Sequence, residues 1–301
     1  MKIALIQCSA SNDVHFNLTK GLEALETAAQ AGANLVVYPE LAFTPFYPQH
    51  RKVRYSECRG NDLPPLSLAE EIPGRTTDAF CAAAKRLGVV VVLNLYAREG
   101  NAAFDASPVI DADGTLLGVT RMMHITQYEG FYEQDYYTTA GTRAPVFNTA
   151  AGRIGVAICY DRHYGEYLRA LALQRADVVV VPQAGALDEW PEGLFEAELR
   201  VGAFQNGYYM ALANRVGQED ILTFGGGSFV VDPEGNVVAQ APKTSEAILY
   251  ADLDMRRCEE SHARQLFLRD RRPDIYWGGA VCFQNCENSE NDVCCQAPVA
   301  T

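Results

Sequence analysis

Arg153-Ile154-Gly155-Val156-Ala157-Ile158-Cys159-Tyr160-Asp161-Arg162-His163 is the stretch that decides how this chain reads. Its first six residues have the length and apolar character of a short buried strand. Cys159 to His163 follow as a turn, and Glu166-Tyr167-Leu168-Arg169 opens a helix. A thiol at a strand-to-helix turn sits where a nucleophile is exposed and where neighbouring groups can activate it. Taken alone, such a cysteine is more often a small buried hydrophobe than a nucleophile. The rest of the pattern has to decide.

Working outward, apolar strands alternate with amphipathic helices. Lys2 to Gln7 reads as a strand. Leu18, Leu22, Leu25 and Ala29 recur at helical spacing, with Gly32 as a stop. Leu35-Val36-Val37-Tyr38 is a second buried strand and Val89 to Leu95 a third, with a helix over Thr76 to Leu87 between them, ended by Gly88. After Cys159 come a helix over 166–175, a strand over Asp177 to Val181, a helix over Ala197 to Asn206 and a strand over Tyr208 to Ala213. Two hairpins interrupt the alternation, one turning at Asp111-Ala112-Asp113-Gly114 and one at Asp232-Pro233-Glu234-Gly235-Asn236. βα units mixed with hairpins predict an α/β fold of mixed sheets covered by helices, not a purely parallel doubly wound sheet. Residues 1–277 show no interior linker and read as one domain. Residues 278–301 are polar, aperiodic and read as a flexible Cys-containing tail.

Composition narrows the function. A net charge of −13, with no basic run, excludes a phosphate footprint and so nucleic acid, and disfavours an anionic membrane. No apolar stretch is long enough for a transmembrane helix. The first strand begins at Lys2, too early for a signal peptide, so a cytoplasmic location is the default expectation. The nine cysteines do not form a secreted framework. Cys8, Cys58, Cys81, Cys159 and Cys258 are scattered and expected to be reduced. Cys282, Cys286, Cys294 and Cys295 cluster in the tail, but their spacing departs from paired CxxC and no His lies near, which argues against a metal site there.

Two acids join Cys159 as candidates. Glu40 stands beyond the strand Val36-Val37-Tyr38, behind Pro39, where a carboxylate can point into a cleft or simply lie exposed in a loop. Glu133 lies in the aromatic-rich loop Gly130-Phe131-Tyr132-Glu133-Gln134, and is catalytic or structural. Together the three make chemistry. A cysteine needs a base to become thiolate, and a carboxyl in a dry pocket has the raised pKa that suits that work. His163 is near Cys159 in sequence, but four positions on it need not face the thiol.

At this point the chain is identified as resembling the nitrilase superfamily of carbon–nitrogen hydrolases, over roughly residues 1–277. The resemblance rests on Asn34-Leu35-Val36-Val37-Tyr38-Pro39-Glu40-Leu41, Met123-His124-Ile125, Gly130-Phe131-Tyr132-Glu133 and Gly155-Val156-Ala157-Ile158-Cys159-Tyr160-Asp161. Ala213-Asn214-Arg215-Val216-Gly217, Gly227-Ser228-Phe229-Val230-Val231-Asp232-Pro233 and Phe267-Leu268-Arg269-Asp270-Arg271-Arg272-Pro273-Asp274 complete it, in the same order. It implies a four-layer αββα sandwich with a Glu–Lys–Cys triad and a second glutamate. Residue by residue, Glu40 matches the general base, Cys159 the nucleophile and Glu133 the second glutamate. It further implies attack of the thiolate on an amide, carbamoyl or nitrile carbon, an acyl-enzyme, and release of an acid by water. Neither metal nor organic cofactor is implied. The partners implied are a small amide substrate and further copies of the chain, a homodimer or larger.

The chain departs from that pattern at the lysine. Relatives resemble Tyr-Arg-Lys-Met-His-Ile where this chain reads Thr120-Arg121-Met122-Met123-His124-Ile125, so Met122 takes the lysine position. Methionine supplies neither charge nor donor. Losing one oxyanion donor costs on the order of 2.7–4 kcal/mol, and losing the cation leaves Glu40 and the thiolate repelling one another. Arg121 points to the opposite face of an extended segment, and His124 sits two residues deeper on the face of Met122. Lys52 or Lys243 can enter from elsewhere. The backbone N–H of Tyr160 can still serve as an oxyanion donor. Arg162 is either a fork for a substrate carboxylate, as the resemblance to N-carbamoyl amino-acid hydrolases implies, or an arginine paired with Glu166 or Asp161. The segment Arg269 to Pro273 looks more like carbamoyl-amine amidases. Three readings follow: a hydrolase of a small N-carbamoyl compound or amide, a catalytically silent homologue that binds a small molecule or serves as a scaffold, and an enzyme of the same fold in which a different cation has taken the lysine's role.

Overall fold

The runs Leu35-Val36-Val37 and Val90-Val91-Val92 are apolar at every position, so the strands they form cannot turn either face to water. The computed structural model of the chain describes residues 1–52, 65–141 and 143–276. It pairs β2 (Leu35–Val37) in parallel with β3 (Val90–Val92) and with β1 (Lys2–Gln7). The antiparallel β15 (Ala247–Asp252) lies outside β1. On the far side, the long β5 (Ala102–Ile110) pairs β3 and β4 (Leu95–Glu99) along one edge and β6 (Leu116–Arg121) along the other. A second sheet repeats the scheme around a parallel centre. There β8 (Gly152–Val156), β9 (Val178–Gln183) and β10 (Tyr209–Asn214) are flanked by β7 (Val146–Thr149) on one side. On the other side lie β13 (Phe229–Val231) and β14 (Val237–Gln240). A small ribbon joins β11 (Val216–Gln218) to β12 (Thr223–Gly225).

The alternation of side chains along each strand builds the layers. Ile3, Leu5, Leu35, Val37, Val90 and Val92 face Ile154, Val156, Val178, Val180 and Ala211 in one buried cluster between the sheets. Their neighbours Ala4, Ile6, Val36 and Val91 turn the other way. They meet Leu18 and Leu25 of α1 (Val14–Gln30) and Phe80 and Ala84 of α2 (Arg75–Leu87). On the second sheet, Val179, Val181, Met210 and Leu212 pack on Leu168 and Leu171 of α3 (Gly165–Leu173) and on Leu199 of α4 (Leu194–Asn206). The result is the expected α/β sandwich in four layers, αββα. Local signals agree with it. The Asp13 carboxylate accepts from the His15 and Phe16 amides and caps α1, a contact worth about 1 kcal/mol. Gly88 ends α2 at φ 68°, a left-handed conformation that glycine takes without the Cβ penalty.

Three boundaries differ from the sequence reading, each for a local reason. The run 89–95 is not one strand. Leu93 and Asn94 leave the ladder, because Asn94 turns its side chain to Leu41, Asp105 and Ser107. The run 153–158 pairs as a strand only to Val156, although the Ala157 amide still reaches the Val180 carbonyl. β9 continues past Val181 to carry Gln183 to the sheet edge. Among the described residues, no helix is long and apolar enough to cross a membrane. Cys8, Cys81, Cys159 and Cys258 are free thiols. Cys58 and the tail 278–301, with its four cysteines, lie outside the described residues.

Candidate active site

The parallel strands of both sheets end at one edge, and chain leaving such ends is where α/β sheets present their functional groups. From β2 the chain runs through Tyr38, whose amide is held by the Val92 carbonyl, to Pro39 and Glu40. Leu41 follows at φ 46°, with its amide donating to Asn94 Oδ1 at 2.7 Å. From β8 the chain reaches Cys159, which has φ 42°. A left-handed conformation costs a non-glycine residue about 1–2 kcal/mol. Both turns that carry the candidate groups therefore hold strained backbone, fixed by their surroundings.

Those turns bring together the three residues the sequence singled out. One carboxylate oxygen each from Glu40 and Glu133 and the Cys159 Sγ all lie within 4.8 Å of one another. The two glutamates are fully buried and Cys159 is 5% exposed. Glu133 stands at the head of a short 3-10 turn, where one oxygen accepts from the Thr126 amide at 3.4 Å. Its other oxygen, and both oxygens of Glu40, have no hydrogen-bond partner.

A fourth buried acid joins them. Asp105 lies within β5, 1% exposed, where Asn94 Nδ2 donates to its Oδ1 at 2.5 Å. Its Oδ2 has no partner. Glu40 and Asp105 turn toward one another, a contact that becomes a hydrogen bond only when one of them carries a proton.

Burial sets the electrostatics. It pushes the Glu40 carboxyl up to about 8, with the Glu133 charge adding to the rise, and the Asp105 carboxyl and Cys159 thiol, each able to donate to it once protonated, and the Arg215 charge opposing it. Burial, then the Glu40 and Glu133 charges, raise the Cys159 thiol well above its ordinary value, and Arg162 pulls it back. Glu133 is raised by burial and by Asp105, and Asp105 by burial and by Glu40. A general base works best with a pKa near the operating pH, and Glu40 fits that requirement.

Arg162 is nearly fully buried. Its Nη1 donates to the Cys159 carbonyl and to Gln183 Oε1, both at 2.9 Å, and its Nε lies 3.3 Å from Glu198 Oε2. The guanidinium thus braces the thiol turn from below, with Nη2 left unpartnered. Neither Glu166 nor Asp161 is its ion-pair partner, as the sequence reading allowed. Tyr160 is half-buried and packs edge-on against His163 and Tyr164. His163 turns its Nδ1 to Glu198 at 2.5 Å, away from a dyad with Cys159. His124 bonds Asp161 at 2.7 Å and stacks on Tyr164. Arg121 pairs with Glu99 on the other face, as strand alternation requires.

Met122 is 1% exposed, and its amide donates to the Asp105 carbonyl, which continues the β5–β6 ladder by one step. Lys52 is exposed beside Asp135, and Lys243 packs near Gly226 and Gly227. The second buried arginine, Arg215, donates to the backbone carbonyls of Glu40 and Leu41 and pairs with Glu219. Among the described residues, no carboxylate of Glu40, Asp105 or Glu133 is in an ion pair.

Sequence reasoning missed Gln183. Its Nε2 donates to Cys159 Sγ at 3.2 Å. The available signal was a polar residue closing the apolar run Val178-Val179-Val180-Val181-Pro182, on the strand next to the one that carries the thiol. Asn94 and Asp105 were missed as well.

The sequence profile of carbon-nitrogen hydrolases matches residues 2–263. The chain belongs to the carbon-nitrogen hydrolase family. The chain is 32% identical over 288 residues to an N-carbamoylputrescine amidase from Solanum lycopersicum, covering 91% of this chain and 93% of that one. The crystal structure of a carbon-nitrogen hydrolase from Helicobacter pylori G27 superposes with a TM-score of 0.83 at 29% identity, covering 92% of this chain and 97% of that one. A variant of the amidase from Nesterenkonia sp. AN1 superposes with a TM-score of 0.74 at 25% identity, covering 92% and 95%. That structure shows the acetamide moiety of fluoroacetamide joined covalently to the amidase's active-site cysteine.

Proposed function

We propose that this carbon-nitrogen hydrolase cleaves the C–N bond of a small N-carbamoyl compound through a thioester on Cys159. The observation that carries the proposal is the buried triangle of Cys159 Sγ, Glu40 and Glu133, with all three donor atoms within 4.8 Å. The Glu40 carboxylate takes the thiol proton as Sγ attacks the carbonyl carbon. The Tyr160 backbone N–H stabilises the oxyanion. Glu40 then gives its proton to the departing nitrogen, later takes one from water, and the thioester is hydrolysed. Glu133 holds the substrate nitrogen. Arg162 acts as a positioning residue through Gln183 and the Cys159 carbonyl.

Charge at the site supports a substrate that carries an amine. Glu189, half-buried, accepts from the Tyr128 hydroxyl at 2.5 Å and raises both Cys159 and Glu133 by its charge. An acid-lined pocket favours an ammonium group and disfavours a carboxylate. The name of the Solanum relative points the same way. The assembly proposed is a homodimer or larger. Exposed Leu194, Val201 and Phe204 on α4, beside Phe267, support it.

The test is ammonia release from N-carbamoylputrescine, uncharged N-carbamoyl amines and aliphatic amides, with the Cys159→Ala chain as control. Cys159-dependent release, fastest from the aminated compound, is expected. One observation favours a second reading, a silent binder: among the described residues no ammonium neutralises the three buried acids. Saturable binding of the same compounds without any turnover would establish that reading instead.

A further inference from the structure

The chemistry proposed above leaves the free site with more acidic groups than it has partners for. Glu40, Asp105, Glu133 and Cys159 are all buried and converge on one another. Four of the six carboxylate oxygens have no donor: both of Glu40, Oδ2 of Asp105 and Oε1 of Glu133. The described arginines that bear on the cluster make no bond to its carboxylates: Arg162 holds the Cys159 carbonyl and Gln183, and Arg215 holds Glu219 and backbone carbonyls. A buried carboxylate without a partner is costly, and nature resolves it with a proton, a cationic side chain or a metal ion. Protons neutralise these acids but do not give every oxygen a partner. One proton bridges Glu40 and Asp105, but Glu133 Oε1 still has no donor.

We propose that the resting protein binds one divalent transition-metal ion of the zinc class, held by Cys159 Sγ, Glu40 and Glu133. Thiolate with carboxylate is a donor set that zinc accepts, three protein ligands leave its fourth position open, and zinc bonds of about 2.0–2.3 Å span such a triangle with small shifts. Donor atoms already within 4.8 Å of one another are close to that geometry. Asp105, facing Glu40 from β5, orients that ligand as an outer acid. Binding forms a metal–sulfur bond and two metal–oxygen bonds. It releases the thiol proton and any carboxyl protons to solvent, and no electron moves. The metal and an acyl group compete for the same sulfur. Metal occupancy therefore holds the site silent, and removal of the metal frees it.

The test uses the full chain, stripped with a chelator, and needs no substrate. Cobalt(II) is titrated while the thiolate-to-cobalt charge-transfer absorption is read, and zinc binding is followed by calorimetry. The tail cysteines are controlled by a full chain with Cys282, Cys286, Cys294 and Cys295 changed to Ser. That chain is expected to keep one equivalent of metal. Cys159→Ala is expected to lose it, and Glu40→Gln and Glu133→Gln to weaken it at least tenfold. Thermal unfolding checks that each variant is folded, and Glu133→Gln, isosteric with the native residue, carries the test if Cys159→Ala is not. Binding that survives Cys159→Ala unchanged, or that disappears with the tail cysteines alone, overturns the inference. Ammonia release by the stripped chain tests the hydrolytic reading separately, so either can fail without the other.

Discussion

Gln183 donates its side-chain amide to the Cys159 sulfur at 3.2 Å while its Oε1 is held by Arg162 at 2.9 Å. The arginine fixes which end of the amide meets the sulfur, so the donor is already aimed at a developing thiolate. Hydrogen bonds to charged groups contribute about 1.5–3 kcal/mol. Gln183→Ala is therefore expected to slow both turnover and alkylation of Cys159 by iodoacetamide roughly 10- to 100-fold. The alkylation profile should also shift to higher pH. A purely structural role would lower stability and leave the alkylation profile where it was.

The base should show itself in the pH dependence. Burial holds Glu40 protonated up to about 8, and only its carboxylate can accept the thiol proton. Hydrolysis at low substrate should therefore rise with pH along a limb centred near 8. A profile already flat from pH 6 upward contradicts that assignment.

Asp105 gives the same limb a handle. Its carboxyl, kept protonated by burial and by the Glu40 charge, faces Glu40, and a hydrogen bond donated to a carboxylate favours the ionised form. Asp105→Ala removes that donor and should move the limb up by about one pH unit. Unchanged position of the limb in that variant means that the two carboxyls do not communicate.

Met122→Lys places an ammonium beside Asp105 without adding much volume. The Glu40 carboxyl stands at about 8 in the fold against 4.5 ordinarily, so the folded chain holds a proton that the unfolded chain has given up. Its contribution to stability is full below 4.5 and falls as the pH climbs to about 8. An ammonium reverses that loss by favouring the ionised form. The expected result is a Tm raised by about 1–2 °C at pH 8.5, the shift that roughly 1 kcal/mol produces in a chain of this size, with little change at pH 5. Hydrolysis should rise on the order of 100-fold, the effect of one oxyanion donor. A fall in both quantities shows that the cavity is shaped around the thioether.

Glu40 and Cys159 were legible because each directly follows an apolar run, and a polar residue at such a strand end has few places to go except the cleft. Glu133 was not legible in that way: it sits on a loop, and only resemblance to a family singled it out. Asp105 was hidden inside β5, where strand alternation does not say which inward side chain reaches a cleft. Arg162 reads as a surface or substrate residue from its position in a turn, and its burial depends on Gln183 and Glu198, which come 21 and 36 positions later. The break at Leu93-Asn94 also rests on long-range partners, since the Asn94 side chain bonds across to Leu41 and Asp105. Element order and layers follow from local periodicity. Pairings between distant side chains do not.

The measurement that bears most directly on the chemistry is intact-protein mass spectrometry of the full chain, acid-quenched during turnover of N-carbamoylputrescine and of a slow aliphatic amide. The account predicts an added acyl mass, located by peptide mapping on the fragment that holds Cys159 and absent from Cys159→Ala. Turnover that continues in Cys159→Ala, with no added mass at any time point, contradicts it.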